Sequence, residues 1–405
     1  MFENPYKFQG PLDLKKDRDK LVCAPRKDDV AFIIERIRRG EYVTIQGPQQ
    51  IGKTTLLFLV KNQFKHANYA YINFEVAPGE KGKEKAFYQW LIDQLMEKIP
   101  CEKSGFNTIT GEYPDASFID FLKKFKSTKK KIILLFDEIN RLNFLKGFLH
   151  VWRNLYHESI ANVKIPNYNI ITTSSMDLLK IPSGPNSPFN ITNTLNIKDL
   201  PGDESEGIID KPFEKLKIKI TSNAKKELLS QISGHPQLLQ HACCLLVEKA
   251  KSKEELTVTD VHETIERLMV DNAVLRTLNN NINENNALRD LVKNIVKKSK
   301  PKIFHPYKDF ALLGAGAIKE ENSFCKIRNE VFKKYIIEIL KNPVKNKTPS
   351  SDENQLKRWK NWFSGAFGII AAITALAAAM TDNSSLMIAA ALSALTALVL
   401  MAVLK

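Results

Sequence analysis

Eight residues, Gly47 to Thr54, limit the possible folds of this chain more than any other segment. They read Gly-Pro-Gln-Gln-Ile-Gly-Lys-Thr and match the pattern G-x-x-x-x-G-K-[ST]. A β-rich segment, Tyr42–Gln46, precedes them, and apolar residues with helical spacing follow from Thr54 to Phe64. In this strand–loop–helix order, backbone N–H groups and the helix N-terminus attract phosphate. The segment therefore predicts an α/β fold with a nucleotide site, rather than a glycine-rich turn that binds nothing.

The motif assigns separate roles to the residues of this loop. Lys53 is expected to reach the β- and γ-phosphates, and the Thr54 hydroxyl to hold Mg²⁺. Seven further residues are expected to contact the nucleotide around them: Gly47, Pro48, Gln49, Gln50, Ile51, Gly52 and Thr55.

A second candidate element lies about eighty residues further on, where the apolar run Ile132–Phe136 ends in Asp137 and Glu138. A continuous apolar run is typical of a strand buried on both faces. Asp137 is expected to hold Mg²⁺ through water, and Glu138 to act as general base on an attacking water. Two acids alone usually belong to a solvated loop. Their position after a buried strand and a phosphate loop favours the catalytic interpretation.

The front half of the chain alternates strand-like and helix-like segments, which predicts a parallel sheet with helices on both sides. The further segments are a strand at Tyr69–Phe74, a helix at Lys85–Ile99, a strand at Asn169–Thr173 and a weaker strand at Thr194–Ile197. Thr172, Thr173 and Ser174 end one of these strands. They either contact the γ-phosphate or the water, or are ordinary strand-end residues.

The middle of the chain is predicted to be helical. Gly234-His235-Pro236 joins the predicted helices Ser222–Ile232 and Gln237–Lys249, and a plain helical turn explains this tripeptide as well as a site does. The asparagine-rich run Asn279–Asn286 is expected to be a loop between helices.

Two charge-free apolar stretches near the end of the sequence, residues 363–380 and 386–404, predict a transmembrane helical hairpin. A bilayer core of about 30 Å needs about 20 helical residues. Cations and tryptophans before the first stretch favour the cytoplasmic side and the headgroup layer. The alternative is a buried alanine-rich hairpin in a soluble protein. Small residues also favour close helix packing and self-association.

The charge balance is basic, with 60 Lys+Arg against 45 Asp+Glu and a formal net charge of +15. Such an excess indicates an anionic partner, which is nucleic acid, nucleotide phosphate or anionic lipid. The five cysteines have no metal-ligand spacing, which predicts reduced thiols in the cytosol.

Together, the phosphate loop, Phe136-Asp137-Glu138, the Thr172–Ser174 strand end and the Gly-His-Pro turn resemble AAA-like P-loop ATPases of the STAND type, relatives of the archaeal origin-recognition ATPases. The resemblance runs from about Cys23 to Leu340. The domains expected on this basis are an N-terminal extension (1–22), an ATPase core (23–202), a helical lid (203–268), a winged-helix domain (269–340), a linker (341–361) and the hairpin (362–405).

The resemblance also implies further site residues. Arg26 matches an arginine that lies near the adenine, and His235 and Pro236 match a lid turn whose middle residue faces the phosphates or the base. For the winged helix it implies helices at 271–281 and 286–298, wing strands at Ala311–Ile318 and Ser323–Ile327, and a closing helix at Asn329–Leu340. Related loops often carry a basic residue where Gln49 stands, so a weaker activity is expected.

The expected function is a membrane-anchored switch that binds ATP with Mg²⁺ and hydrolyses it slowly to ADP and phosphate. It is expected to oligomerise with itself at the inner (cytoplasmic) membrane, with the ATPase in the cytoplasm, and its resemblance to STAND proteins with membrane effectors suggests a bacterial defence or cell-suicide role. One alternative is a membrane-tethered winged-helix ATPase that binds nucleic acid. Another is a passive nucleotide-binding scaffold with a membrane anchor.

Overall fold

The computed structural model describes residues 3–12, 22–64, 67–102, 108–127, 131–161, 165–175, 191–297, 302–305 and 312–341. The chain divides into two units, Met1–Leu340 and Lys341–Lys405. Among the described residues, no helix is both long and apolar enough to cross a bilayer. The predicted hairpin, residues 362–405, and all but the first residue of the predicted linker lie outside the described ranges.

The centre of the first unit is a parallel sheet in the order β2-β3-β4-β1-β5. The strands are β1 Tyr42–Gln46, β2 Asn68–Asn73, β3 Lys131–Asp137, β4 Asn167–Ser174 and β5 Thr192–Asn196. The predicted parallel α/β sheet is confirmed, with strand ends within two residues of those expected. Because β4 lies between β1 and β3, its carboxyl end meets both the phosphate loop and the two acids.

Helices cover both faces of this sheet, as predicted. On one face, Ile133 and Leu135 of β3 pack with helices α1 (Lys27–Arg38) and α2 (Lys53–Lys61). On the other face, Ile132, Leu134 and Phe136 pack with three helices, α3 (Glu84–Lys98), α4 (Pro114–Lys124) and α5 (Leu145–Ala161). The apolar run of β3 is therefore buried on both sides, which explains why it does not alternate with polar residues.

The predicted lid consists of four helices: α6 Gly202–Lys215, α7 Ser222–Ile232, α8 Pro236–Ala250 and α9 Val258–Val270. Two short strands lie between these helices, β6 (Lys219–Ile220) after α6 and β7 (Glu255–Leu256) after α8, and they pair in parallel. Helix α8 begins with Pro236 directly after its N-cap His235. Helix α9 begins with a capping box formed by Thr257 and Asp260.

The following region contains helices α10 (Ala273–Glu284) and α11 (Asn286–Val296), an antiparallel hairpin of β8 (Ile318–Glu321) and β9 (Phe324–Ile327), and the closing helix α12 (Glu330–Lys341). This region shares one apolar core with the lid helices, separate from the core of the sheet. The winged-helix assignment and all domain boundaries stay predictions.

Two expectations for this region were wrong. The first hairpin strand was expected at Ala311–Ile318, but β8 only begins at Ile318, since Leu312 is helical and Gly316 turns the chain with φ +78°. The asparagine run was expected to be a loop, but α10 continues to Glu284. Asn285 then caps α11, and its side chain accepts a hydrogen bond from the Leu288 N–H at 3.0 Å.

Residues 3–12, called the strap below, lie against the lid. The Tyr6 hydroxyl donates to the Ile208 carbonyl at 2.7 Å, and the Asn4 amide donates to the Cys244 carbonyl at 2.9 Å. The Phe8 ring stacks on His241 with a centroid distance of 3.7 Å. The predicted N-terminal extension therefore has specific partners in its described part.

Candidate functional site

The phosphate loop connects the end of β1 to the start of α2. Gly52 is the N-cap of α2 and has φ +95°, a conformation that suits glycine because it has no Cβ. Gln50 also has a positive φ, of +60°. The loop therefore leads directly into a helix N-terminus, where backbone N–H groups and the helix dipole favour an anion.

Lys53 is nearly fully buried at the first position of α2. Its ammonium donates to the carbonyls of Gly47 and Pro48 at 3.1 and 3.0 Å, and lies 3.7 Å from a Glu138 carboxylate oxygen. Burial lowers the pKa of Lys53, whereas the charges of Glu138 and Asp137 oppose this shift. The ammonium is thus held between the phosphate loop and the predicted general base.

Asp137 is buried at the end of β3 and accepts three hydroxyl hydrogen bonds. Its Oδ2 accepts from Thr54 at 2.8 Å and from Tyr71 at 2.9 Å, and its Oδ1 accepts from Thr173. The structure therefore brings together Thr54 and Asp137, the two predicted metal ligands. Mg²⁺ prefers oxygen ligands, such as hydroxyl and carboxylate oxygens, so this pair of residues fits that ion.

Glu138 has a left-handed backbone with φ +56° and lies next to Asp137. Burial raises the pKa of the Glu138 carboxyl, Lys53 opposes this shift, and Asp137 adds to it. A carboxylate whose pKa lies above its ordinary value is a stronger base at neutral pH. The placement suits a group that accepts a proton from water.

The three polar residues at the end of β4 have different contacts. Thr172 exchanges a hydrogen bond with Thr44 at 3.0 Å, which is a contact between neighbouring strands of the sheet. Thr173 reaches both acids, since its hydroxyl donates to Asp137 and accepts from the Glu138 N–H at 3.0 Å. Ser174 donates to the Asn140 side chain at 3.3 Å. Thr173 therefore positions the two acids and Thr172 is a strand residue, whereas contact with the γ-phosphate or the water stays a prediction.

Three residues that contact the predicted site residues were missed from the sequence. Tyr71 contacts Asp137, and the Asn140 side chain accepts from the Ser175 N–H at 3.2 Å as well as from Ser174. Neither position carries a sequence signal beyond being a polar residue near a strand end. Tyr71 also packs against Phe58 of α2 with ring centroids 4.9 Å apart. Glu204 is the third, because its carboxylate accepts from the backbone N–H groups of Arg26 and Lys27 at 3.0 and 2.9 Å.

Arg26 lines the large cavity described below, and its expected position near the adenine stays a prediction. Its guanidinium donates to the carbonyls of Ile51 and Lys198 at 2.8 and 2.9 Å and pairs with Asp29 at 3.1 Å. These contacts tie its guanidinium to the phosphate loop and to the segment after β5. Arg26 therefore holds Ile51, and with it the loop, against the segment after β5.

His235 and Pro236 lie at different places. His235 is buried as the N-cap of α8, its Nδ1 faces the Leu238 N–H at 3.5 Å, and its ring lies 5.5 Å from that of Phe332. It lines a small pocket together with Gln49 and Gln50. Burial, then the charge of Arg328, holds the pKa of His235 well below its ordinary value. Pro236 instead lines the large cavity described next.

A cavity of about 530 Å³ connects these elements. Its lining includes Lys53, Thr54 and Glu138, the α8 residues Pro236, Gln237 and Gln240, and residues 7–12 of the strap. The volume lies within the range of roughly 300–1,000 Å³ that is common for small-molecule sites. The phosphate loop supplies one part of the wall, and the strap and α8 supply another.

A parallel sheet with a phosphate loop after β1, an oxygen pair for Mg²⁺ and a neighbouring half-buried acid defines the class of P-loop nucleotide-binding proteins. The chain belongs to the family of AAA-like domains, which matches residues 25–338. No curated protein matches this chain significantly in sequence.

One of the similar solved structures shares this fold. The Walker-type ATPase PABY2304 of Pyrococcus abyssi has a TM-score of 0.57 and 17% identity, with 81% of this chain and 99% of that chain covered. The RuvB Holliday junction branch migration motor of Thermotoga maritima has a TM-score of 0.41 and 16% identity, with 81% and 98% covered. At 17% identity, the likeness to the Walker-type ATPase concerns the fold alone.

Proposed function

We propose that this chain is a switch that binds ATP with Mg²⁺ and hydrolyses it slowly to ADP and phosphate. The observation that carries the proposal is the joint position of four residues. Asp137, Glu138 and Thr173 lie at the carboxyl ends of adjacent strands, and Lys53, at the start of α2, lies beside Glu138. In open parallel sheets, ligands bind at this edge.

Each residue has a defined part in this proposal. Lys53 moves from the loop carbonyls to the β- and γ-phosphates, and Thr54 with Asp137 holds the metal ion. When bound, Mg²⁺ neutralises charge that develops on the phosphate oxygens. Glu138 takes a proton from the attacking water. Thr173 fixes both acids, since its hydroxyl contacts the side chain of one and the backbone of the other.

The switch is proposed to act through the region 269–340, which contacts the site. A Cβ added at Gly316 would lie 3.4 Å from Pro48 of the phosphate loop. Phe332 of α12 packs beside His235, and both line a pocket with Gln49 and Gln50. A change in the loop on nucleotide binding or hydrolysis therefore alters the packing of the lid and of this region, as a two-state switch requires.

The output is proposed to be the apolar hairpin of residues 362–405, which anchors the chain in the inner membrane with the ATPase in the cytoplasm. Two charge-free runs with basic and aromatic flanks support this proposal. Self-association in the ATP state then clusters the hairpins and perforates the bilayer, as a defence or cell-suicide effector requires.

The test of the catalytic part is a comparison of wild type, Lys53→Ala and Glu138→Gln in ATP binding and hydrolysis. Lys53→Ala should lose binding, because the only ammonium of the loop disappears from the phosphates. Glu138→Gln should keep binding within about threefold and lose hydrolysis by at least about 100-fold. Equal hydrolysis by Glu138→Gln and wild type would exclude Glu138 as the base.

The test of the output is dye entry into cells that express wild type, Lys53→Ala or residues 1–355 alone. We expect leakage with wild type only. Wild-type protein that sediments with membranes without leakage would make the hairpin an anchor alone, and a soluble full chain would remove the membrane proposal.

A second candidate is a membrane-tethered ATPase that binds nucleic acid, which the net charge of +15 favours. The β-hairpin of β8 and β9 carries charges of both signs. Its Glu321 carboxylate lies 3.9 Å from the Lys319 ammonium and 3.2 Å from the Lys326 ammonium. Binding of the full chain to duplex DNA that weakens steeply with salt would favour this candidate.

A further inference from the structure

Tyr71 reaches the proposed metal site from β2, an edge strand of the sheet. It lies opposite Leu135 of β3, and its side chain is on the sheet face that α1 and α2 cover. Its ring packs against Phe58 of α2, and its hydroxyl extends to Oδ2 of Asp137 at 2.9 Å. The contact therefore joins β2 to the end of β3 on the side where α2 carries Thr54.

The Asp137 carboxylate has little capacity left for further hydrogen bonds or ligands. An ionised carboxylate only accepts, and it offers about four acceptor positions, about two on each oxygen. The hydroxyls of Thr54 and Tyr71 both donate to Oδ2, and the Thr173 hydroxyl donates to Oδ1. Both positions of Oδ2 are therefore filled. At most about one position stays open, and it is on Oδ1.

We propose that Tyr71 is a positioning residue that makes the metal site selective for Mg²⁺ over Ca²⁺. Its hydroxyl fills the second acceptor position of Oδ2 and so prevents Asp137 from holding a cation with both oxygens. Thr54 keeps its oxygen lone pairs for the cation, because its proton is donated to Asp137. This inference rests on the proposed binding of ATP with Mg²⁺ and assigns the ion specificity of that same site.

The physical reason is the difference in ligand demand between the two ions. Ca²⁺ takes roughly six to eight oxygen ligands and accepts a carboxylate through both of its oxygens. Mg²⁺ is smaller, requires octahedral geometry and keeps several of its waters. A carboxylate that can use only one oxygen still accepts from a water of the Mg²⁺ shell, but it denies Ca²⁺ the second oxygen. Loss of the Tyr71 hydroxyl opens a position on Oδ2 and removes this restriction.

The experiment measures equilibrium binding of ATP to full-length protein in detergent, with EDTA, Mg²⁺ or Ca²⁺. Wild type should bind ATP at least about tenfold more tightly with Mg²⁺ than with Ca²⁺. Tyr71→Phe keeps the ring against Phe58 and removes only the hydroxyl. In this variant the ratio of the two affinities should fall to within about threefold of unity, chiefly because ATP binds more tightly with Ca²⁺. The ATP affinity in EDTA should stay within about twofold of wild type.

The matched control is Tyr69→Phe, which removes a hydroxyl from the same strand and the same face of the sheet. The Tyr69 ring lies 4.6 Å from the ammonium of Lys61, the last residue of α2, whereas Asp137 lies near the first turn of that helix. Tyr69→Phe should therefore keep the wild-type ratio of the two affinities. Urea unfolding of both variants checks that they fold.

Three results would overturn the inference while leaving ATP binding intact. One is a wild type that binds ATP equally well with Mg²⁺ and Ca²⁺, which needs no variant to fold. Another is a Tyr71→Phe protein that keeps the full ratio. The third is a Tyr71→Phe protein that loses affinity equally with both ions and in EDTA, because a purely structural role predicts that loss. Wild type that binds no ATP under any of these conditions would overturn the proposed function together with the inference.

Discussion

Replacement of Arg328 by methionine should destabilise the fold strongly, because it leaves a buried carboxylate without its partner. The Nε of Arg328 donates to both oxygens of Asp199 at 3.0 Å. Arg328 lies just before α12, and Asp199 lies between β5 and α6. The two side chains are 5% and 17% exposed. This ion pair therefore joins the end of the sheet domain to the closing helix, with little access to water.

Two effects set the expected magnitude. Removal of one partner from a buried pair costs about 3–5 kcal/mol, most of it the penalty of the charge left behind. Burial already raises the pKa of Asp199 despite the opposing charge of Arg328, so without that arginine the carboxyl takes up a proton more readily. Because that proton relieves part of the penalty and Asp199 keeps some exposure, we expect a loss of about 3 kcal/mol at neutral pH.

The assay is urea unfolding followed by circular dichroism for wild type, Arg328→Met, Asp199→Asn and the double variant. The double variant should be more stable than the sum of the single losses predicts, by at least about 2 kcal/mol, since neither charge is then left alone. The control is Arg276→Met, which removes an arginine from an exposed pair with Asp271 at 3.3 Å and should change stability very little. Additive losses in the double variant, or equal effects of Arg328→Met and Arg276→Met, would refute the reasoning.

Three further predictions follow from contacts at the site. Thr173→Val should slow ATP hydrolysis by about 10–100-fold and leave ATP affinity within about threefold, because the hydroxyl contacts the side chain of Asp137 and the backbone of Glu138. An affinity loss as large as the rate loss would contradict this. Gly234→Ala should cost at least about 2 kcal/mol in thermal or urea unfolding, because φ is +75° and a Cβ there would lie 2.3 Å from the Leu200 carbonyl oxygen. The lowered pKa of His235 means that the folded protein keeps this ring neutral, while the unfolded chain binds a proton below about pH 6.5. The free energy of unfolding should therefore fall as the pH drops below that value, by up to about 1.4 kcal/mol per pH unit from this residue, and His235→Asn, which keeps an N-cap acceptor, should remove that part. Identical pH profiles for both proteins would exclude His235 as its source.

The parts of the fold that the sequence predicts are those whose pattern is local. The run Ile132–Phe136 is apolar at every position because both faces of β3 are covered, and the phosphate loop shows in its spacing. The loop predicted for the asparagine run was wrong. Asparagine favours turns and caps, but of this run only Asn285 serves as a cap. The apolar run Ala311–Ile318 misled because Leu312 and Ala317 are buried in the helical core without forming a strand.

In the candidate site, too, the residues of local motifs can be predicted from the sequence, whereas contacts between distant segments cannot. Lys53, Thr54, Asp137 and Glu138 are recognisable because their roles follow from motifs. Arg26 is expected at the site from the resemblance, but its contacts with the carbonyls of Ile51 and Lys198 become visible only when the chain has folded. Gln240 gives no signal that it lines the cavity, because a polar residue on a helix looks like a solvated one until its amide donates to the Val22 carbonyl.

The strap also has a consequence for the order of events during synthesis. Its partners are distant in the chain, with separations of 202 residues from Tyr6 to Ile208 and 240 from Asn4 to Cys244. A ribosome makes these residues long before α6 and α8 exist, at about 5–20 residues per second. The sheet with its phosphate loop can therefore form first, while the strap waits at least about ten seconds for its docking surface. The wall of the large cavity is completed by one of the earliest segments made, and only after the lid has emerged.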